Sequence, residues 1–366
     1  MPGPVTRDQV ASLPLVLLHD HLDGGLRPET MVELADATGY RALPSDDPSS
    51  LAAWMTRGAS RGDLVLYLET FVHTVGVMQS ADALSRVARE CVEDLAADGV
   101  VYAEVRFAPE LHTEGGLPPD AVVEAVLDGF AAGSREAAIG IGTIVTAMRT
   151  GGRSLEIADL ALRWADRGVV GFDLAGAEAG HPPTAHRAAF DRVLADGRLG
   201  LTIHAGEGDG LGSIRGALAC GAQRIGHGVR LADDITIDGE RPRLGPLARE
   251  VRDRGVPLEM CPTSNVHSGA ASSIEAHPAG PMSDLGFSIT INTDNRLMSA
   301  TTESEELTRV ARAFGWNLDR LERTAVTAAE AAFLPRRERR RLVEQVIRPR
   351  YAQARAGAGP ETHGPP

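Results

Sequence analysis

Short apolar runs recur along the chain, with helical stretches between them. Leu15–His21, Val100–Phe107, Gly142–Met148, Val169–Leu174, Leu201–His204, Arg224–Gly226, Val256–Met260 and Ser288–Asn292 read as strands. Several are continuously apolar instead of alternating, as expected for parallel strands covered on both faces. The segments between them follow a helical period. In Ala81–Ala97, residues Leu84, Val87, Ala88, Cys91, Val92 and Leu95 share one stripe, and Ala121–Ala132 and Leu155–Arg167 behave alike. Eight strands separated by helices predict an α/β fold, a (β/α)8 barrel of the TIM type. An open doubly wound sheet is the alternative that the same alternation allows.

Most strand starts lie 23 to 42 residues apart, the size of one βα unit, but about 80 separate the first strand from the second. That interval holds Pro/Ser/Asp-rich Leu43–Ser50 and then helical Asp63–Thr74. An insertion after the first barrel strand lies over the mouth of a barrel, so it is expected to form a lid or substrate wall. Glu303–Arg355 reads as a mostly helical C-terminal extension. Its PRRERRR run (Pro335–Arg341) reads as a solvated helix face and not as a nucleic-acid site. A rule of ~150 residues per domain would give two domains. A barrel runs to ~250 residues as one unit, and one domain over 1–366 is expected, with disordered ends at about 1–6 and 356–366.

Composition then narrows the chemistry. Of 366 residues, 50 are acidic and 37 basic, a net charge of -13, which argues against a nucleic-acid partner. All 37 basic residues are arginine. A chain without lysine has no Schiff-base amine, no lysine-held pyridoxal phosphate and no GxxxxGK phosphate loop. Catalysis must come from His, Asp, Glu, a metal or a cofactor. The N-terminus lacks the apolar core of a secretory signal, and no run approaches the ~18 apolar residues of a membrane span. Cys91, Cys220 and Cys261 are odd in number and widely spaced, and read as small buried apolar residues. A cytoplasmic protein with no membrane partner is expected, and its oligomeric state is not legible.

Polar residues gather where apolar strands end. Leu15–Leu18 leads into His19-Asp20-His21, and alternation puts both imidazoles on one strand face. Strand five ends in His204-Ala205-Gly206-Glu207, strand six carries Gly226-His227-Gly228, and strand eight ends in Asn292-Thr293-Asp294-Asn295. Each alone could be a satisfied core polar group. Five such residues on four strand ends converge on the mouth of a barrel, where active sites of this fold lie. Three neutral imidazoles and one carboxylate suit a divalent transition metal, zinc first, and leave one His and one Glu over. Such an ion lowers the pKa of bound water to about 7, which makes metal-assisted hydrolysis the reaction class.

Other signals fall away. Gly206, Gly208, Gly210 and Gly212 fail the GxGxxG spacing, and flexible positioning of Glu207 is the role expected of that loop. HExxH is absent, as is the HxE…PCxxC pattern. His73, His112, His181, His186, His267, His277 and His363 are expected at the surface or behind the site.

The stretches HDHLDGGLRPET (His19–Thr30), VVYAEVRFAPELH (Val100–His112), GFDLAGAE (Gly171–Glu178), TIHAGE (Thr202–Glu207), RIGHG (Arg224–Gly228), CPTSN (Cys261–Asn265) and NTDN (Asn292–Asn295) together resemble adenosine deaminases of the amidohydrolase superfamily, in their actinobacterial form. The resemblance runs from residue 15 past 295 and implies a (β/α)8 barrel. It implies one zinc per chain on His19, His21, His204 and Asp294. His227 would orient and help deprotonate the attacking water, and Glu207 would protonate purine N1. Gly176 would approach N3 through its backbone, and His21 with Asp23 would bind the ribose. Asn295 departs from the second aspartate of many members; as an amide it donates to N7 at any pH. Ala177 replaces a frequent acidic residue.

The resemblance implies hydrolysis of the cyclic amidine C–N bond of adenosine and 2′-deoxyadenosine in purine salvage, with a small-molecule adenine nucleoside as the partner. Three alternatives stand beside it. One is a 6-aminodeoxyfutalosine deaminase or a deaminase of another adenine nucleoside. Another is an amidohydrolase cleaving an ester or amide, and the third is an inactive nucleoside-binding protein.

Overall fold

The computed structural model describes residues 5–238 and 241–357. All eight expected strands form: Leu15–His21, Val100–Phe107, Gly140–Met148, Val169–Ala175, Gly200–Ala205, Arg224–His227, Leu258–Met260 and Ile289–Ile291. They lie side by side in chain order, every pairing parallel. The last strand returns to the first. The His21 N–H donates to the Asp294 carbonyl at 2.7 Å, and the Asp294 N–H donates to the His19 carbonyl at 2.9 Å. Closure without reversal of strand order makes this a (β/α)8 barrel and excludes the doubly wound sheet.

Helices cover the barrel as their stripes require. Ala81–Ala97 buries the predicted Leu84, Val87, Ala88, Cys91, Val92 and Leu95, and Ser80 caps it by accepting the Ala83 N–H at 3.2 Å. The three cysteines are free and buried. Arg336–Arg341 buries none of its residues, as expected of a solvated helix face. Among the described residues no helix is long and apolar enough to cross a membrane.

The insertion contains more helix than expected: Pro28–Thr38, Pro48–Ala59, Leu64–Leu68 and Phe71–Val77. Proline opens the first two, and Asp47 and Asp63 cap the second and third by accepting backbone N–H groups of Ser50 and Leu66. A hairpin of Ile235–Asp238 against Arg241–Leu244 was not expected either. Of the ends expected to be disordered, 1–4 and 358–366 lie outside the described residues. Thr6 caps the helix Arg7–Ala11, and Arg348–Gly357 is helical.

Charge fills the barrel interior. Arg106 donates to Asp173 Oδ2 at 3.2 Å and Glu259 Oε2 at 2.8 Å, while Arg224 meets Glu259 Oε1 at 2.6 Å and Glu104 Oε2 at 2.7 Å. All five side chains are buried. Phe333 stacks on the Arg224 guanidinium with 3.7 Å to the ring centroid, near Gly171 and the strand start Gly200. The opposite, C-terminal mouth holds the candidate site.

Candidate active site

Barrel closure assembles the site, because the same backbone bonds that join strands one and eight set Asp294 between His19 and His21. One atom each from His19, His21, His204 and Asp294 lies within 4.8 Å of all the others. His21 Nε2 stands 3.2 Å from His204 Nε2, and Asp294 Oδ1 stands 3.3 Å from His19 Nε2 and 3.4 Å from His21 Nε2. Donors around a tetrahedral zinc with bonds of ~2.0–2.1 Å would be about 3.3 Å apart.

The imidazoles are prepared for an ion. His19 Nδ1 meets the Glu259 carboxylate at 2.8 Å and His204 Nδ1 meets Asp173 at 3.1 Å. Each ring gives its Nδ1 hydrogen to a carboxylate and keeps a lone pair on Nε2. His19 Nε2 is buried without a hydrogen-bond partner, and a cation supplies the partner it lacks. Burial, aided by the Arg106 charge, lowers the His19 pKa to about 4, and burial takes His21 well below its usual value. Burial would raise Asp294, but the adjacent His19, His227 and His21 imidazoles outweigh it and keep the carboxyl ionised. The Ser264 hydroxyl donates to Asp294 Oδ2 at 2.5 Å. The donor set and its spacing fit a divalent metal.

The two residues left over flank this cluster. His227 Nε2 faces Glu207 Oε2 at 3.4 Å, and the Ser268 hydroxyl donates to Glu207 Oε1 at 2.8 Å. Burial, with the nearby Asp294 charge, raises the Glu207 carboxyl against the opposing pull of His227. A buried carboxyl that holds its proton more tightly than usual is suited to general acid work.

The glycine-rich loop departs from expectation. Its glycines predict a flexible mount for Glu207, yet the Glu178 carboxylate accepts the backbone N–H groups of Gly206, Glu207, Gly208 and Asp209 at 2.6–3.1 Å. Gly206, at φ +75°, gives the chain the turn that aims these amides inward. Glu207 is therefore held by a clamp.

A cavity of about 290 Å³ opens over the cluster. Its floor includes His21, Asp23, Gly176, His204, Glu207, His227, Asp294 and Asn295, while Leu64, Tyr67, Leu68, Phe71, Val72 and Val75 of the insertion wall one side, as expected of that segment. The side-chain oxygens Asp23 Oδ1 and Asn295 Oδ1 are buried and unpartnered. Burial raises the Asp23 carboxyl to about 7. Gly176 has φ +102°, a conformation a side chain resists.

Every residue named as a metal, catalytic or substrate-binding candidate thus lies at one mouth. Sequence reasoning missed Asp173, Glu178, Glu259, Ser264, Asn265 and Ser268. Four of these stand inside the quoted motifs GFDLAGAE and CPTSN, and Glu259 is a lone charge in an apolar strand. Of the other histidines, His112 is buried against the Met78 carbonyl and His277 lies behind Asn265. His363 lies outside the described residues.

A closed parallel barrel with three imidazoles, a carboxylate and a separate buried acid at its C-terminal mouth defines a hydrolase of the amidohydrolase type. A family model described as adenosine deaminase matches residues 14–349. The chain is 55% identical over 359 residues to an adenosine deaminase of Mycolicibacterium vanbaalenii, covering 96% of this chain and 99% of that one. Its fold is similar to that of an adenine deaminase from Arthrobacter aurescens, with TM-score 0.81, 25% identity, and coverage of 91% and 98%. It is also similar to that of an amidohydrolase from Burkhoderia ambifaria solved with bound zinc, with TM-score 0.84, 24% identity and coverage of 98% of each chain. The chain belongs to the adenosine deaminase family.

Proposed function

We propose that this chain catalyses the hydrolytic deamination of adenosine and 2′-deoxyadenosine to inosine and 2′-deoxyinosine, releasing ammonia, with one zinc per chain on His19, His21, His204 and Asp294. The observation that carries the reading is Glu207, a buried acid with a raised pKa beside an imidazole and carboxylate cluster that fits a metal. The bound ion would act as a Lewis acid, lowering the pKa of a water to about 7. Glu207 gives its proton to purine N1, which weakens ring aromaticity as C6 is attacked, and His227 lies beside it to orient the attacking oxygen. The Asn295 amide is placed to donate to N7, the Gly176 backbone lies open to N3, and Asp23 with His21 takes the ribose.

The substrate end of the cavity supports an uncharged nucleoside. Among the described residues none lining it is arginine, and the chain has no lysine. A 5′-phosphate, or the carboxylate of 6-aminodeoxyfutalosine, would lose its hydration there without meeting a cation. Asp23 gives a reason to prefer nucleoside to free adenine. The same reading keeps residues 1–366 as one catalytic unit, working in purine salvage in the cytoplasm, where unpaired cysteines are at home.

The test is kcat/KM of zinc-loaded protein for adenosine, 2′-deoxyadenosine, adenine, adenosine 5′-monophosphate and 6-aminodeoxyfutalosine, followed by the ultraviolet change and ammonia release. Adenosine and deoxyadenosine should lead. No turnover of either would overturn the assignment.

A further inference from the structure

A run of hydrogen bonds leads from His227 away from the cavity, and a backbone amide fixes its direction. The Ala279 N–H donates to His277 Nδ1 at 3.1 Å, so that nitrogen carries no hydrogen. Burial lowers the His277 pKa to about 3, which leaves the ring neutral with its single hydrogen on Nε2. His277 Nε2 lies 3.1 Å from Asn265 Oδ1. The Cys261 N–H points at the same oxygen from 3.3 Å, so two donors agree on which end of the amide is oxygen. Asn265 Nδ2 must then donate to His227 Nδ1, 2.9 Å away. The hydrogen of a neutral His227 ring is left on Nε2, the nitrogen that faces Glu207 in the cavity.

We propose that Asn265 and His277 are positioning residues that lock His227 in its Nε2–H tautomer, so that the neutral ring offers the reaction a hydrogen-bond donor and no lone pair. This revises the part expected of His227 from the sequence. It orients the attacking oxygen by donating to it, and the proton lost by a water whose pKa a bound ion would lower to about 7 goes to solvent and not to this ring. None of the three residues belongs to the candidate metal set of His19, His21, His204 and Asp294. The tautomer follows from hydrogen-bond geometry alone, while its catalytic consequence rests on the deaminase reading, and the two fail separately.

The direct test is a ¹⁵N spectrum of the zinc-loaded full chain with labelled histidine, the His227 signals being assigned by their loss in His227→Gln. The expected result is a bare Nδ1 and a protonated Nε2. A hydrogen on Nδ1 would overturn the proposal whatever the turnover of adenosine. Asn265→Asp replaces the donor by a group that only accepts, which should move the hydrogen to Nδ1 and turn a lone pair toward Glu207. That variant should retain its zinc and lose kcat by about 10²–10⁴-fold with KM little changed. An Asn265→Asp enzyme with wild-type kcat and a reversed ring would refute the donor role, and should that variant not fold, the wild-type spectrum still decides the tautomer.

Discussion

Glu178 offers the sharpest test of how the loop bearing the proposed acid is held. The carboxylate is buried and receives four backbone N–H groups, Gly206 on Oε1 and Glu207, Gly208 and Asp209 on Oε2. Glu178→Gln keeps the size but presents one oxygen and one NH₂ group. In its better orientation the amide oxygen keeps three partners, and the NH₂ confronts the Gly206 N–H. One charge-assisted bond worth ~1.5–3 kcal/mol is lost and a buried donor is stranded at ~1–3 kcal/mol, so the variant should be destabilised by about 3–5 kcal/mol. Because Glu207 sits inside the clamped segment, its carboxyl should also shift; a displacement on the order of 1 Å costs about 10²-fold in kcat. Urea unfolding and steady-state kcat read the two effects, with zinc content as a control, since Glu178 is not among the four proposed ligands. Stability within about 0.5 kcal/mol of wild type, together with unchanged kcat, would refute the clamp. In the wild type, burial raises the Glu178 pKa, but the nearby Ser213 hydroxyl, the backbone amides and Arg149 outweigh it. A lowered folded pKa contributes stability above the ordinary carboxylate range, and that stability should be lost as pH falls through the lowered value.

Three further outcomes are expected. Glu207→Gln should bind zinc like wild type, measured by metal content, and lose about 10²–10⁴-fold in kcat, the usual worth of a positioned acid. In the wild type, kcat/KM for adenosine should fall as pH rises through the raised Glu207 pKa, because the carboxyl must hold its proton to donate it, and the Glu207→Gln profile should lack that limb. Removing metal with a chelator should abolish turnover and lower the unfolding temperature, with zinc restoring both; free ion at about 1,000 times Kd stabilises by ~4 kcal/mol.

How much of this was legible in the sequence follows from what each residue type reports locally. Parallel strands buried on both faces leave continuous apolar runs, so all eight were found, with ends shifted by a residue or two; Pro257, which has no N–H, accounts for the late start of the seventh. The ligand candidates were visible because an imidazole or carboxylate at the end of an apolar run breaks its pattern. The insertion was underestimated because polar Leu43–Ser50 hides a helix start, with Asp47 as its cap and Pro48 at its first position. Residues 206–212 look flexible from their glycines alone, and what fixes 206–209 is Glu178, some 30 positions earlier. No local pattern announces that a carboxylate from one strand end will collect the amides of the next.

Arg106 shows why the partners of the ligands could not be read as a motif at all. Its guanidinium spans Asp173 and Glu259, the two carboxylates that receive Nδ1 of His204 and His19. One planar cation on strand two therefore links the supports of ligands on strands one and five, through acids on strands four and seven. Burial alone would raise either carboxylate; the His204 imidazole, and then Arg106, outweigh it at Asp173 and hold that carboxyl well below the usual carboxylate range. The arrangement needs a donor that reaches two acceptors at once, which arginine's rigid fork provides and lysine's point charge serves less well. A chain whose basic residues are all arginine spends one of them on setting the tautomers of two imidazoles. That role exists only after the barrel closes, because the five strands involved are brought into register by closure and by nothing nearer in the sequence.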